Sequence, residues 1–354
     1  MMKNNFFRKL KKPYVIAEIG VNHECSIIKA KMMIKSAKKN GASAVKFQSY
    51  KADYLASKKS PSYWNNKKEK TKSQYELFKR YDKFGPKEFR ILNKYCKKLK
   101  IDFLSTPFDQ FSVNYLRKLV PFFKIASADI NNFPLLKFIA QTKKPVLIST
   151  GASNLKEIKK TINLLKKNGT KNIAIMHCIL NYPTDDKNAN LGMITSLKKN
   201  FPNYTIGYSD HTLPDKNMTN LIYAFILGAE IFEKHYTFNK KKVGNDHYHA
   251  MDKTDLKEFI FQLAKVKKKI GSDIKKPIPE EYKSIKFARR SIYSLKFIKK
   301  GQKLTQKNII CKRPGLGINP MNWPKVIGSV ATRDIKEDKL IKWNQIRKNK
   351  ILTK

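Results

Sequence analysis

Tyr204-Thr-Ile-Gly-Tyr-Ser-Asp-His-Thr212 and Ile231-Phe-Glu-Lys-His-Tyr236 are two strand-like stretches that each run out at a histidine, His211 and His235. Between them, Asp215 to Gly228 carries the small and apolar residues of a helix. Strand, helix and strand at this spacing predict a parallel βαβ unit, which brings the two strand ends side by side. Imidazoles at the carboxyl ends of adjacent parallel strands can share one divalent metal. The competing reading is two buried, hydrogen-bonded histidines.

Outward from this unit the same rhythm holds from Pro13 to about Gly271. Strand patterns fall at Tyr14–Glu18, Ala44–Phe47, Asp102–Ser105, Phe122–Ile125, Val146–Ser149, Ile173–Met176, Tyr204–Ile206 and Ala229–Phe232. A helical pattern follows each: Ile27–Asn40, Lys87–Lys100, Gln110–Leu119, Pro134–Thr142, Asn154–Asn168, Met193–Asn200, Asp215–Gly228 and Asp255–Ile270. Eight βα units predict an α/β fold of the (β/α)8 TIM barrel class, with a doubly wound sheet as the alternative. Two insertions, Asp53–Phe84 and Asn239–Met251, follow the second and eighth strands and so belong to the catalytic face as lid segments. The barrel domain is expected over residues 1–277, a proline-bearing linker over 278–286, and a small, mostly β module over 287–354. A module of that size is marginal alone and needs docking on the barrel or on another subunit.

Composition narrows the function classes. The formal charge of +48 raises nucleic-acid binding, yet only 9 of the 75 basic residues are arginine, the side chain that base and phosphate recognition favours. The lysines fall on polar helix faces such as Lys35, Lys38 and Lys39, which reads as solvated surface. No nucleic-acid partner is expected, although the field should attract anionic substrates. No apolar run approaches the roughly 20 residues of a membrane span. Met1–Lys12 is basic without the apolar stretch of a secretory signal, so a cytoplasmic location is expected. Cys25, Cys96, Cys178 and Cys311 are scattered without a CxxC pair and read as reduced thiols.

Catalytic groups of a barrel project from the carboxyl ends of its strands. Here those ends carry Glu18, Asn22 and His23; Lys46 and Gln48; Ser105 and Thr106; Lys124, Ser127 and Asp129; Ser149 and Thr150; His177; Ser209, Asp210 and His211; and Glu233, Lys234 and His235. Lys46 and Lys124 lie inside apolar runs, and a lysine facing a barrel interior is costly unless an acid or anion meets it. With the hydroxyls of Ser127, Ser149 and Ser209 they would form a pocket for a phosphate and a carboxylate. The structural alternative is two lysines that snorkel to the barrel mouth. A Schiff base on either amine is also chemically open.

Ala17-Glu-Ile-Gly-Val-Asn-His-Glu24, Val45-Lys-Phe-Gln48, Leu104-Ser-Thr-Pro-Phe-Asp109, Lys124-Ile-Ala-Ser127, His177-Cys178, Tyr182-Pro-Thr184, Gly207-Tyr-Ser-Asp-His-Thr212 and Glu233-Lys-His235 together resemble the motifs of the sialic acid synthases. This family includes the N-acetylneuraminate, N,N'-diacetyllegionaminate and pseudaminate synthases. Ile298-Lys-Lys-Gly301 with Cys311-Lys-Arg-Pro-Gly315 and Gly317 resembles that family's C-terminal antifreeze-like, or SAF, domain. The resemblance implies condensation of phosphoenolpyruvate with an N-acylated mannosamine-type sugar to a nine-carbon 2-keto acid and phosphate. It implies a divalent metal, manganese with magnesium or cobalt as alternatives, on His211 and His235. It places Lys46, Lys124, Ser127, Ser149, Tyr182 and Ser209 around phosphoenolpyruvate, and Glu18 as the acid or base. Gln48, Asp129, Asp246 and Arg313 would contact the acceptor sugar, Arg313 arriving from the partner of a domain-swapped homodimer.

Some residues depart from the family pattern. Ala126-Ser-Ala-Asp129 stands where Gly-Ser-Gly-Glu is frequent, which shortens a carboxylate by one methylene, and Leu180 occupies an asparagine position with Asn181 one place along. His247 and His249 fall in an insertion, where loop histidines are expected to face solvent unless they line the acceptor pocket. A lysine Schiff-base aldolase on the same barrel and a basic polyanion-binding protein are the rival functions.

Overall fold

The computed structural model describes residues 6–348 apart from Asn65, Lys68 and Asn245, and the chain divides into two compact units, Met1–Ile270 and Gly271–Lys354. The ends of the expected domain spans 1–277 and 287–354 therefore lie outside the described residues.

In the first unit, eight parallel strands form one sheet: β1 (Tyr14–Gly20), β2 (Ala44–Ser49), β3 (Asp102–Pro107), β4 (Phe123–Ile125), β5 (Val146–Ser149), β6 (Ile173–Cys178), β7 (Thr205–Asp210) and β8 (Ile231–His235). Their order is β3-β2-β1-β8-β7-β6-β5-β4, and β3 and β4 come side by side without a ladder, so the barrel is nearly closed. A helix follows every strand, and local sequence sets where each begins. Ser26 accepts the Lys29 amide to start Ile27–Lys39, Pro86 opens Pro86–Leu99, and Asn154 and Glu157 exchange hydrogen bonds at the start of Leu155–Lys167. The helix expected from Asp215 starts only at Thr219. The Asp215 carboxylate accepts the amides of Asn217 and Thr219 and turns the intervening residues into a loop.

Side-chain alternation divides the core into two shells. Val15, Ala17, Ile19, Val45, Phe47, Ile173 and Ile175 face outward and pack on the helices. Ile16, Ala44, Leu104, Phe122, Leu147, Ala174, Met176 and Ile231 face inward and fill the lower barrel, where Phe7 packs with its ring centroid 5.0 Å from that of Phe122. Two residues further along the same strands, the inward positions become Glu18, Lys46, Lys124, Ser149 and Glu233. The apolar floor and the polar site are consecutive layers of one alternation.

The Asp53–Phe84 insertion is more ordered than a loop. It holds the helices Ala52–Leu55 and Gln74–Tyr81, a bridge between Pro61 and Ser73, and a hydrogen bond from the Trp64 indole to the Thr71 carbonyl. After β8 the chain loops out and returns beside the strand: the Thr237 amide donates to Met251 and the Met251 amide to His235.

The second unit pairs β9 (Ser291–Ser294) with β10 (Ile309–Lys312) and β11 (Val330–Ala331) with β12 (Ile346–Arg347), both antiparallel. Its own core includes Ile292, Ile298, Leu304, Ile309, Ile335 and Ile341. Within the stretch read as a linker, Pro279–Glu281 forms a 3-10 turn and Tyr282–Phe287 a helix. Among the described residues no helix is long and apolar enough to cross a membrane.

Candidate active site

Glu18, Lys46, Gln48, Lys124, Ser127, Ser149, Tyr182, Ser209, His211 and His235 line one cavity at the carboxyl ends of the strands, together with Thr106, Phe108, Ala126, Cys178 and Glu233. Ladder register explains part of this convergence. Glu18 on β1 stands opposite Lys46 on β2 and opposite His235 on β8, so three ionisable groups share one row. Ser209 on β7 stands opposite Glu233 on β8 in the same way. Gly207 makes the close approach of these two strands possible, because a Cβ there would lie 2.6 Å from the Ile231 carbonyl oxygen.

Neither buried lysine snorkels away. Lys46 Nζ lies 2.8 Å from Glu18 and 3.6 Å from Glu233, and it donates to Thr106 Oγ1 at 2.9 Å. Lys124 Nζ donates to Glu233 at 3.3 Å, and so does the Ser209 hydroxyl. Burial pulls the Lys124 amine below the usual lysine range. Burial also works against the Lys46 charge, but Glu18 and Glu233 outweigh it and raise that amine. For Glu18 burial wins and the carboxyl is raised, whereas Glu233, buried as well, is held low by Lys124 and Lys46. The pocket is thus two ammonium groups balanced by two carboxylates. The buried Ser149 hydroxyl and Glu233 Oε2 have no hydrogen-bond partner among the described residues, which suits a site built to meet a polar ligand.

The opposite wall is made of imidazoles. The His211 and His235 ring centroids are 5.7 Å apart, and the Tyr182 ring lies 4.2 Å from His211. His211 Nδ1 donates to the Ile179 carbonyl at 2.7 Å; burial works against charge on this ring, but Cys178 and that carbonyl outweigh it and raise the imidazole, so Nε2 becomes a ligand on losing its proton. His235 is held neutral: burial, then His249 and His211, push it well below the ordinary range. Asp246 reaches this wall from the loop after β8, with Oδ2 3.6 Å from His235 Nδ1 and 3.5 Å from Gln48. Gly20 admits it, since its backbone is left-handed and a Cβ there would meet Asp246 at 3.0 Å. Burial and the neighbouring Glu18 raise the Asp246 carboxyl to about 7.

The expectation that His247 and His249 face solvent is wrong: they are 4% and 0% exposed. The returning loop is pinned by Asn22, whose amide donates to the carbonyls of Tyr236 and Asp246, and by His247, which bonds Thr237. His249 is thereby carried to His235, with ring centroids 4.7 Å apart. Asp129 sits on the 3-10 turn after β4, accepts from Asn132, and is not among the residues lining the cavity. Arg313 belongs to the second unit, exposed just after β10. Lys234 and Asp210 form a separate buried pair at 2.7 Å that also holds Thr212. Thr106 and Glu233 stand among the strand-end groups read from the sequence but were given no role there, and Cys178 entered only as a reduced thiol and as part of a motif. Glu233 had a readable signal, because it precedes His235 by two places and so shares its face of β8.

Residues 33–275 match the NeuB family and residues 289–347 the SAF domain. The chain is 39% identical to the N,N'-diacetyllegionaminic acid synthase of Campylobacter jejuni over 94% of this chain and 100% of that one. It is 30% identical to the pseudaminic acid synthase of the same organism, over 93% of this chain and 95% of that one. Among solved structures, the N-acetylneuraminic acid synthetase of Leptospira borgpetersenii matches with a TM-score of 0.69 and 32% identity, over 77% of this chain and 90% of that one.

Proposed function

Because the chain belongs to the NeuB family and carries an SAF domain, we propose that it is a nonulosonic acid synthase. Carbon 3 of phosphoenolpyruvate attacks the open aldehyde of an N-acylated mannosamine-type sugar, water adds at carbon 2, and phosphate leaves. The observation that carries this reading is the single cavity in which two buried lysines face a wall of imidazoles. The stronger likeness to the legionaminic than to the pseudaminic acid synthase favours an acceptor of the sialic or legionaminic type.

Lys46 and Lys124 bind the carboxylate and phosphate of phosphoenolpyruvate, with Ser127, Ser149, Ser209 and Tyr182 orienting it. In the free site Glu18 and Glu233 hold the two ammonium groups in place. Glu18, raised by burial, serves as the proton donor or acceptor beside the aldehyde. Gln48, Asp246 and Asp129 contact the acceptor hydroxyls, and Arg313 of a partner subunit in a swapped homodimer holds the N-acyl group.

The histidine wall fits a divalent cation. His235 is held neutral and its buried Nδ1 has no hydrogen-bond partner among the described residues, and His211 donates through Nδ1 to the Ile179 carbonyl, so that loss of its other proton to an incoming cation would leave Nε2 as the ligand. His211 and His235 would hold the ion, manganese with magnesium or cobalt as alternatives. When bound, such an ion polarises the aldehyde and stabilises the alkoxide that forms. The location proposed for this chemistry is the cytoplasm.

Phosphate release from phosphoenolpyruvate, measured across N-acetylmannosamine and diacetamido sugars, tests the reaction and identifies the acceptor. Activity should be lost with a chelator and restored by manganese. Lys124, its amine lowered by burial, favours one rival, a Schiff-base aldolase. That enzyme would be indifferent to chelator and inactivated by borohydride in the presence of substrate.

A further inference from the structure

The donor atoms that gather most tightly at the imidazole wall are not those of His211 and His235 alone. One ligand atom from each of His235, Asp246 and His249 lies within 4.8 Å of the other two. All three side chains are buried, His249 completely. Two donors on one ion, with bonds of about 2.1 Å, stand about 3 Å apart when adjacent and about 4.2 Å when opposite. Inward shifts of at most about 1 Å therefore bring the three onto a common centre.

The backbone already holds them close to that arrangement. The loop that carries Asp246 and His249 is fastened at its end to β8 through Met251 and His235, and in its middle by Asn22 and by His247 on Thr237. The Tyr248 hydroxyl donates to the Tyr182 carbonyl and ties the same loop to the β6–β7 side of the mouth. His249 sits between these anchors, with ring centroids 4.7 Å from His235 and 6.0 Å from His211. This position puts an imidazole beside a carboxylate and two further imidazoles.

We infer that this chain holds its divalent ion through the loop after β8, with His249 and Asp246 joining His235 and His211, and that this set selects a borderline transition metal over magnesium. The inference rests on the metal-dependent reading given above and adds both a ligand and a preference to it. Three imidazoles and one carboxylate suit zinc, cobalt or manganese, whereas magnesium keeps to oxygen ligands and water. The ligand set also makes loop order part of metal binding.

The test uses the full-length protein stripped of metal and titrated with cobalt(II), followed by visible d–d absorption, with zinc X-ray absorption spectra to count imidazoles. Wild type should bind one ion per chain, zinc and cobalt more tightly than manganese, and magnesium at least about 100-fold more weakly than cobalt. His249→Ala and His249→Gln should each weaken cobalt binding by about tenfold or more and shift the absorption band, and the wild-type zinc site should contain three imidazoles. Unchanged affinity and spectrum in both variants, or two imidazoles in the wild-type site, would overturn the role of His249 while leaving the metal-dependent synthase intact. Absence of any bound ion in wild type would overturn both. The imidazole count decides the matter even if the variants fail to fold.

Discussion

Glu233 touches both buried lysines and the Ser209 hydroxyl, so one carboxylate organises half of the cavity. His235 lies two residues along the same strand, on the imidazole side of the cavity. His235→Ala should abolish phosphate release while circular dichroism and thermal midpoint stay near wild type; near-normal turnover would remove His235 from the site. His23, another histidine named at a strand end, is not among the residues that line the cavity. It stacks on Phe84 at 4.3 Å, and its Nδ1 accepts the Cys25 amide. Burial, reinforced by Lys29, lowers it to about 4. The folded protein then binds fewer protons there than the unfolded chain, so stability is complete above the unfolded value near 6.5 and is lost as pH falls toward 4. Urea unfolding at pH 7 and pH 5 should differ by about 2 kcal/mol from this residue, and its NMR signals should not titrate between those values.

Strands and loops divide the work. The strands supply Glu18, Lys46, Lys124, Ser149, Ser209, Glu233 and His235 from one inward face, above an apolar layer two residues below. Any shift of a strand against its neighbour therefore moves several site groups together. Gly207→Ala tests this, because the added methyl meets the β8 backbone rather than a side chain that could swing aside. The substitution should cost about 2–3 kcal/mol in denaturant unfolding. It should also lower turnover through Ser209 and His211, and a variant as stable and active as wild type would contradict the strand packing. The loops bring Tyr182, Asp246 and His249, which no strand alternation governs.

The two units serve one proposed reaction from separate cores, the barrel's two shells and the cluster around Ile292 and Ile309. If Arg313 acts in the partner subunit's site, Arg313→Ala should weaken use of the sugar more than use of phosphoenolpyruvate. At a sugar concentration too low for Arg313→Ala to turn over, mixing it with inactive His235→Ala chains should then recover about a quarter of wild-type activity, because half of the random dimers contain one intact site. No recovery after verified subunit exchange would place Arg313 in its own chain's site or outside it. The charge of +48, carried mostly by lysines, makes a field that favours anionic ligands in general.

Much of this was legible in the chain because alternation and spacing are local properties. Eight βα periods predicted the barrel, and the period of two put Glu18, Lys46, Lys124, Ser149, Ser209 and His235 on its inner face. The same rule puts Glu233 on that face, a residue named from the sequence at a strand end without being given a role. The helix start at Thr219 was missed because a side-chain turn at Asp215 competes with helical periodicity. Phe7 was missed because its partners on the barrel floor are distant in sequence. The burial of His247 and His249 was beyond local reading for the same reason. Their surroundings are set by Asn22, Tyr182 and Glu24, which come from other parts of the chain. Sequence determined which groups the strands present, since strand geometry repeats every two residues. The assembled fold determined which loop groups meet them, since long-range packing and hydrogen bonds set a loop's course.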